Sequence, residues 1–168
     1  PVLWGYGEYG EAKLYTMRTE LLRNGAVIDV KHDRFGFREF YAEGDKFYLN
    51  KKPISLLGDL YTKTRDHTEH PAAAIAFLQR MRDSNINFFR WHTSTVCDYG
   101  IWFDAADEVG FLMQPEMIRP FYHGKGRLAA NHPAIKRMWE NYVTTHYNHP
   151  SIVSWCVDNE SFSVGLTS

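Results

Sequence analysis

The chain has 168 residues, room for one domain or for parts of two. Its hydrophobic fraction of 44% is that of a globular protein and argues against a disordered one. A formal net charge of −1 gives no electrostatic basis for binding nucleic acid or an anionic membrane surface. The sequence carries no signal peptide and no long apolar span, and because the first residues read as the middle of a domain, this leaves its location open. The two cysteines, Cys97 and Cys156, do not form a disulfide framework, and Cys156 reads as a small core hydrophobe. Aromatic residues make up 15% of the chain, material for a core or for stacking on sugar rings.

Residues 1–52 read as β. Leu14 to Leu22 is a strand, Arg23-Asn24-Gly25 a hairpin turn and Ala26 to Val30 its partner strand. His32 to Tyr41 makes a third strand, with Gly36 as a bulge or close approach, and Lys46 to Asn50 a fourth. That is about half of a sandwich, with open edges that need covering. From Pro53 the rhythm becomes strand–helix. Strands are expected at 54–58, 87–91 and 111–113, the last ending at Gln114-Pro115-Glu116. The first helix starts at Pro71 and turns Ile75, Leu78, Met81 and Phe77 inward. Asp98 caps the second, which buries Trp102, Phe103, Ala106 and Val109 and stops at Gly110. Asn131 and Pro133 start the third, with Ile135, Met138, Trp139, Tyr142 and Val143 on its buried side.

A fourth strand follows in Asn148-His149-Pro150-Ser151-Ile152-Val153-Ser154-Trp155-Cys156-Val157-Asp158-Asn159-Glu160. It opens on a turn signal, runs apolar on both faces, as a parallel strand buried on two sides does, and ends in three polar residues. The βα order implies parallel strands and right-handed crossovers. The fold class is therefore α/β: the first half of a (β/α)8 TIM barrel at 53–168, preceded at 1–52 by the terminal strands of a β-sandwich. Four strands do not close a barrel of eight, so the remainder of the same polypeptide or another subunit is expected to complete it. Barrel chemistry lies at the carboxyl ends of the strands, where Asp158, Asn159 and Glu160 stand.

Asn148 to Ile152, the apolar run with Trp155, and the pair Asn159-Glu160 resemble the general acid/base segment of glycoside hydrolase family two, which includes β-galactosidases, β-glucuronidases and β-mannosidases. Arg34-Phe35-Gly36-Phe37-Arg38-Glu39, followed by Phe47 to Ile54, resembles that family's passage from an immunoglobulin-like sandwich into its barrel. Two departures stand out: Asp158 where the family usually has Gly before the Asn, and Lys51 in place of the Gly of Asn-Gly-Lys-Pro. The resemblance implies Glu160 as general acid/base and Asn159 as the ligand of the sugar's 2-hydroxyl. It also implies a nucleophilic Glu on a later strand, beyond Ser168, so that the isolated chain would be inactive. The substrate it implies is a carbohydrate, cleaved without a cofactor. Asp158 joins the substrate-binding candidates beside Asn159.

Arg90 and His92 end the second strand, where the family's Arg shapes the pocket and a nearby His often contacts sugar. For Arg90 the alternative is an ion pair in the barrel floor, and for His92 a core histidine bonded to a backbone carbonyl. Glu116, at the third strand end, either meets substrate or the acid/base, or pairs with an Arg such as Arg90 or Arg119. Asp66-His67-Thr68-Glu69-His70 is rich in ligand types, but its spacing matches no zinc pattern, and capping the next helix is its simpler role. Asp59 and Tyr61 are weaker sugar contacts, and His146 and His149 flank a helix end. No Glu-x-His pair occurs in Met117 to Gly124, and no metal is expected. A different class remains possible from sequence: a carbohydrate-binding or scaffold module that keeps the rim without a nucleophile.

Overall fold

The computed structural model describes residues 1–62, 70–92, 100–116 and 133–156, without the side chains of Tyr61, Thr62 and Ile135. Asp158, Asn159 and Glu160, with Asp66, Arg119, Asp98, Asn131 and Cys97, lie outside these residues.

Strands β1 (Tyr15–Arg23) and β2 (Ala26–Phe35) form an antiparallel ribbon. Its two-residue turn places Asn24 and Gly25 at φ 51° and 80°, as a type I′ turn requires. The expected break near Lys31 does not occur. One strand runs from Ala26 to Phe35, because every residue from Arg34 back to Asp29 finds a partner on β1. The chain turns instead at Gly36. A Cβ there would lie 2.9 Å from Pro150 Cγ and 3.0 Å from Trp4 Cβ, so this is a close approach and only glycine fits without displacement. Strands β3 (Phe40–Glu43), β4 (Lys46–Leu49) and β5 (Lys52–Ile54) make an antiparallel meander.

Three parallel strands follow in the order β6 (Gly58–Thr62), β7 (Phe88–His92) and β8 (Leu112–Pro115). Helices α1 (Pro71–Asp83) and α2 (Gly100–Val109) lie between them in sequence, and α3 (Pro133–His146) follows. The first parallel strand is thus four residues later than expected. Pro53 and Ile54 are taken by pairing with Tyr48 and Phe47, which leaves Ser55 to Leu57 as a connector. Asn87 fastens that connector. Its Oδ1 accepts from Leu57 N at 2.8 Å, and its Nδ2 donates to Ser55 O at 2.9 Å and to Tyr6 Oη at 2.7 Å. Gly58 then meets β7 so closely that a Cβ would fall 1.8 Å from Phe88 O.

Helix α1 starts at Pro71, with His70 as its cap accepting from Ala72 N at 3.3 Å. Ala74 and Leu78 are buried, and Ile75, Phe77 and Met81 pack beside them. Helix α2 buries Trp102, Phe103, Ala106 and Val109 as its periodicity requires, and also Asp107. These side chains and those of Phe89, Trp91, Phe111, Met113 and Ile152 form the core between sheet and helices. A second cluster joins Trp4, Leu49, Ile54 and Leu112, with Phe88 and Val153 packed against it. The pre-barrel segments therefore cover the amino ends of the parallel strands, leaving the carboxyl ends for the site.

Candidate active site

Alternation along β7 decides which side chains face the barrel interior. Phe89 and Trp91 are buried against α1 and α2, so Phe88, Arg90 and His92 project to the opposite side. Phe88 sits on the floor cluster, and Arg90 and His92 stand successively higher. On β8 the same face carries Leu112, Gln114 and, just past the strand, Glu116.

Arg90 and Glu116, both expected at the rim, are brought together. Arg90 Nη2 donates to Glu116 Oε2 at 2.6 Å, and Glu116 is 2% exposed. Burial works against the Arg90 charge, but the bond to Glu116 and the neighbouring Cys156 thiol outweigh it and hold the guanidinium above its ordinary pKa. An arginine bonded to a carboxylate in this way is a fixed cationic group on the inner face of the sheet. Of the two roles open for Glu116, pairing with Arg90 is thus realised. His92 Nδ1 is buried and has no hydrogen-bond partner among the described residues, so this nitrogen does not make the bond to a backbone carbonyl that was the alternative to a sugar contact.

The fourth run joins β8 through two parallel bridges, Met113 to Ile152 and Glu116 to Cys156. Met113 N donates to Ser151 O at 2.8 Å, Val153 N to Met113 O at 3.1 Å, and Cys156 N to Pro115 O at 2.9 Å. Cys156 is half-buried rather than a core residue. Its Sγ lies 4.0 Å from Glu116 Oε2, because the bridge puts both on the inner face. The thiol therefore lies on the inner face beside the Arg90–Glu116 pair.

Residues to which the sequence assigned no role at the site hold the foot of this run. Arg38 Nε donates to Pro150 O at 2.7 Å, and its Nη2 donates to Ile152 O. Burial lowers the Arg38 pKa, opposed by Asp107. Asp107 Oδ1 accepts from Ser151 N at 3.0 Å, its Oδ2 lies 2.6 Å from His149 Nδ1, and its backbone oxygen accepts from Trp4 Nε1 at 2.7 Å. Arg34 meets Asp104 at 2.6 Å and Glu108 at 2.9 Å on the outer side of α2. Asp104, Asp107 and His149 approach one another closely enough to suggest a metal site, but the Arg34 guanidinium already supplies the cation beside Asp104. His149, expected only to flank a helix end, instead bonds to Asp107. The one signal in sequence was negative: Asp107 is a charged residue on the apolar face of a helix. Asp59 Oδ1 accepts from Leu60 N at 2.7 Å, which engages it locally. The metal-ligand types of 66–69 lie outside the described residues, and His70 is the helix cap described above.

Comparison with known proteins meets this geometry. Residues 40–167 match the family model described as glycosyl hydrolases family 2, TIM barrel domain. A β-glucuronidase of Streptococcus agalactiae is 30% identical over 180 residues, covering 96% of this chain and 29% of its own. A β-galactosidase of Halalkalibacterium halodurans is 27% identical over 179 residues, covering 97% of this chain and 17% of its own. The solved structure of a β-glucuronidase from Parabacteroides merdae superposes with a TM-score of 0.70 at 26% identity, covering 92% of this chain and 19% of that one. The chain thus spans less than a third of the length of the curated relatives it matches. With more than half of its residues matched and its parallel βα units in the order a TIM barrel requires, the chain belongs to glycosyl hydrolases family 2.

Proposed function

We propose that this chain is part of a retaining β-glycosidase in which Glu160 is the general acid/base. The observation that carries the reading is the bridging of the Ile152–Cys156 run to β8, which directs the chain toward the same strand ends that hold Arg90 and Glu116. In the first step a nucleophilic carboxylate, supplied from outside these 168 residues, attacks the anomeric carbon. The bond from that carbon to the leaving oxygen breaks, and the Glu160 proton passes to that oxygen. In the second step Glu160 takes a proton from water as its oxygen attacks the anomeric carbon, and the ester to the nucleophile breaks. Glu160 thereby regains its proton. The two displacements return the original anomeric configuration. Asn159 bonds the 2-hydroxyl most strongly near the transition state, where binding speeds reaction. Asp158, His92 and the Arg90–Glu116 pair line the rest of the sugar site.

A glucuronide and a galactoside are the first substrates to try, since relatives of this chain carry those names. Residues 1–52 are read as the last strands of an immunoglobulin-like sandwich and 53–168 as the first half of the barrel. The apolar groups exposed on the β1–β2 ribbon support that division. Met17, Leu21, Leu22, Val27 and Ile28 are each 47–58% exposed, as strands that belong beneath further sheet would be. The remainder of the polypeptide, or other subunits, then completes both units.

The test is Glu160→Gln in the complete protein. Its turnover of a β-linked disaccharide should fall by about 10²–10⁴-fold, the usual contribution of general acid–base catalysis. Turnover near that of the unaltered enzyme would refute the assignment.

A further inference from the structure

We propose that Cys156 and Glu116 are positioning residues for Arg90: together they hold its guanidinium on the inner face, where the sugar meets it. This rests on the placing of Arg90 in the sugar site given above. It assigns a part to Cys156, which has none so far, and makes Glu116 a residue that acts through Arg90 rather than on the sugar.

Main-chain bonds set the three side chains next to one another. Arg90 stands opposite Gln114 in the β7–β8 register. Glu116 N donates to Trp91 O at 3.1 Å, which ties the residue after β8 to the strand that carries Arg90. Cys156 N donates to Pro115 O at 2.9 Å, which ties the fourth run to the residue before Glu116. Neighbouring strands lie about 4.8 Å apart, so side chains on one face of three of them can meet at their tips. The fourth run yields one residue to allow this. Three residue steps along β8, from Met113 to Glu116, are matched by four along the run, from Ile152 to Cys156. Ile152 and Cys156 are an even number of steps apart, which on a regular strand gives them one face. Ile152 nevertheless lies in the core between sheet and helices, and Cys156 lies beside Glu116. The extra residue thus transfers the thiol from the core side to the inner face.

The cluster is graded in exposure. The Glu116 side chain is 3% exposed and that of Arg90 31%. Cys156 is half-buried. A sugar at these strand ends therefore meets the guanidinium before the carboxylate. Glu116 Oε2 accepts from Arg90 Nη2 at 2.6 Å and lies 4.0 Å from Cys156 Sγ, so one oxygen serves both neighbours. Burial works against the Arg90 charge, and the bond to Glu116 and then the thiol offset it. An arginine side chain is a planar fork on a flexible stem. A buried carboxylate at one edge and a thiol packed beside it remove rotamers that would aim the fork elsewhere, so less freedom is lost when the sugar binds. Neither Cys156 nor Glu116 is assigned a part in bond breaking.

The test uses the complete protein and a 4-nitrophenyl glycoside, glucuronide or galactoside according to which the unaltered enzyme hydrolyses. Cys156→Ala should lower kcat/KM by about tenfold, within the range that a misplaced contact group costs, and leave the denaturation midpoint nearly unchanged. Cys156→Ser, which keeps a donor of similar size, should recover most of the loss. In an Arg90→Ala background Cys156→Ala should bring no further loss, because the group it positions is gone. Arg90→Lys serves the same cycle should Arg90→Ala not accumulate, since lysine keeps the charge without the fork. Chemical rescue supplies a readout that packing alone would not move. Millimolar guanidinium ion should raise the activity of Arg90→Ala, and adding Glu116→Gln should abolish that rescue, because the carboxylate that holds the ion is gone. No loss in Cys156→Ala, additive losses in the cycle, or a rescue that is absent or indifferent to Glu116 would overturn the proposal. Arg90→Ala with unchanged kcat/KM would instead remove Arg90 from the sugar site, and the proposal with it. Glu160→Gln is assayed in parallel, so that failure of the acid/base assignment is read separately from the Arg90 cycle.

Discussion

Arg38 Nε reaches Pro150 O at 2.7 Å, so a residue of the pre-barrel segment grips the foot of the run that leads to Glu160. The same guanidinium donates to Ile152 O, and between those two carbonyls Ser151 N is held by Asp107. Three consecutive residues are therefore fixed by side chains from outside the strand. Replacing Arg38 by Ala leaves two carbonyls without their charged donor and should lower stability by about 3 kcal/mol. Arg38→Lys, with one ammonium for two acceptors, should recover only part of it. Chemical denaturation of the complete protein checks both, and equal stability for the Ala variant would count against the clamp.

Asp107 is 2% exposed and serves Ser151 N and His149 together. Asp107→Ala strands a buried N–H and should cost about 2–3 kcal/mol, while Asp107→Asn keeps an acceptor for Ser151 N and should cost about half of that. Denaturation midpoints measured side by side decide the ordering. An Asn variant as damaged as the Ala one would mean that charge, not acceptance, is what the site requires.

Gly58→Ala should be severe. Its Cβ would fall 1.8 Å from Phe88 O, a backbone atom in the parallel ladder that has no room to move aside. The strands must separate at the start of β6, with a loss of about 3 kcal/mol or more expected by analogy with overpacked sites. Soluble yield and denaturation midpoint report it. A Gly58→Ala protein of unchanged midpoint would show that β6 does not meet β7 at this point.

Tyr6 offers a test by pH. Burial raises its pKa above the ordinary 10.0, and the bond from Asn87 only partly offsets this. The folded state thus holds the phenol proton more tightly than the unfolded chain. The stabilisation is complete below pH 10.0, and is lost as pH rises through the higher folded value. Stability should therefore fall as the medium is made more alkaline than pH 10.0, and Tyr6→Phe should flatten that fall. Denaturation midpoints across this range give the slope, and identical slopes for the two proteins would rule out Tyr6 as its source.

Much of this arrangement is legible in the sequence because it depends on local rules. The periodicity of α1 and α2, the Pro71 start and the Asn24-Gly25 turn all follow from short-range chemistry and are realised in the structure. The rim pair of Arg90 and Glu116 follows from the βα order, which assigns both residues to strand ends. What escapes the sequence is set by partners distant along the chain. Pro53 and Ile54 read as a barrel strand until Phe47 and Tyr48 are seen to claim them. Cys156 reads as core until its bridge to Glu116 brings it to the inner face. Asp107 reads as an ordinary helix residue until Ser151 and His149 meet it from more than forty positions away.

The most direct test of the account is azide rescue of Glu160→Ala in the complete protein. With 4-nitrophenyl glycoside as substrate, this variant should still form the glycosyl-enzyme but release it slowly, because no base remains to activate water. Azide attacks without that help. The account predicts that added azide restores turnover and that the product is the β-glycosyl azide. Failure of azide to accelerate a variant that still forms the glycosyl-enzyme, or an α-configured product, would contradict it.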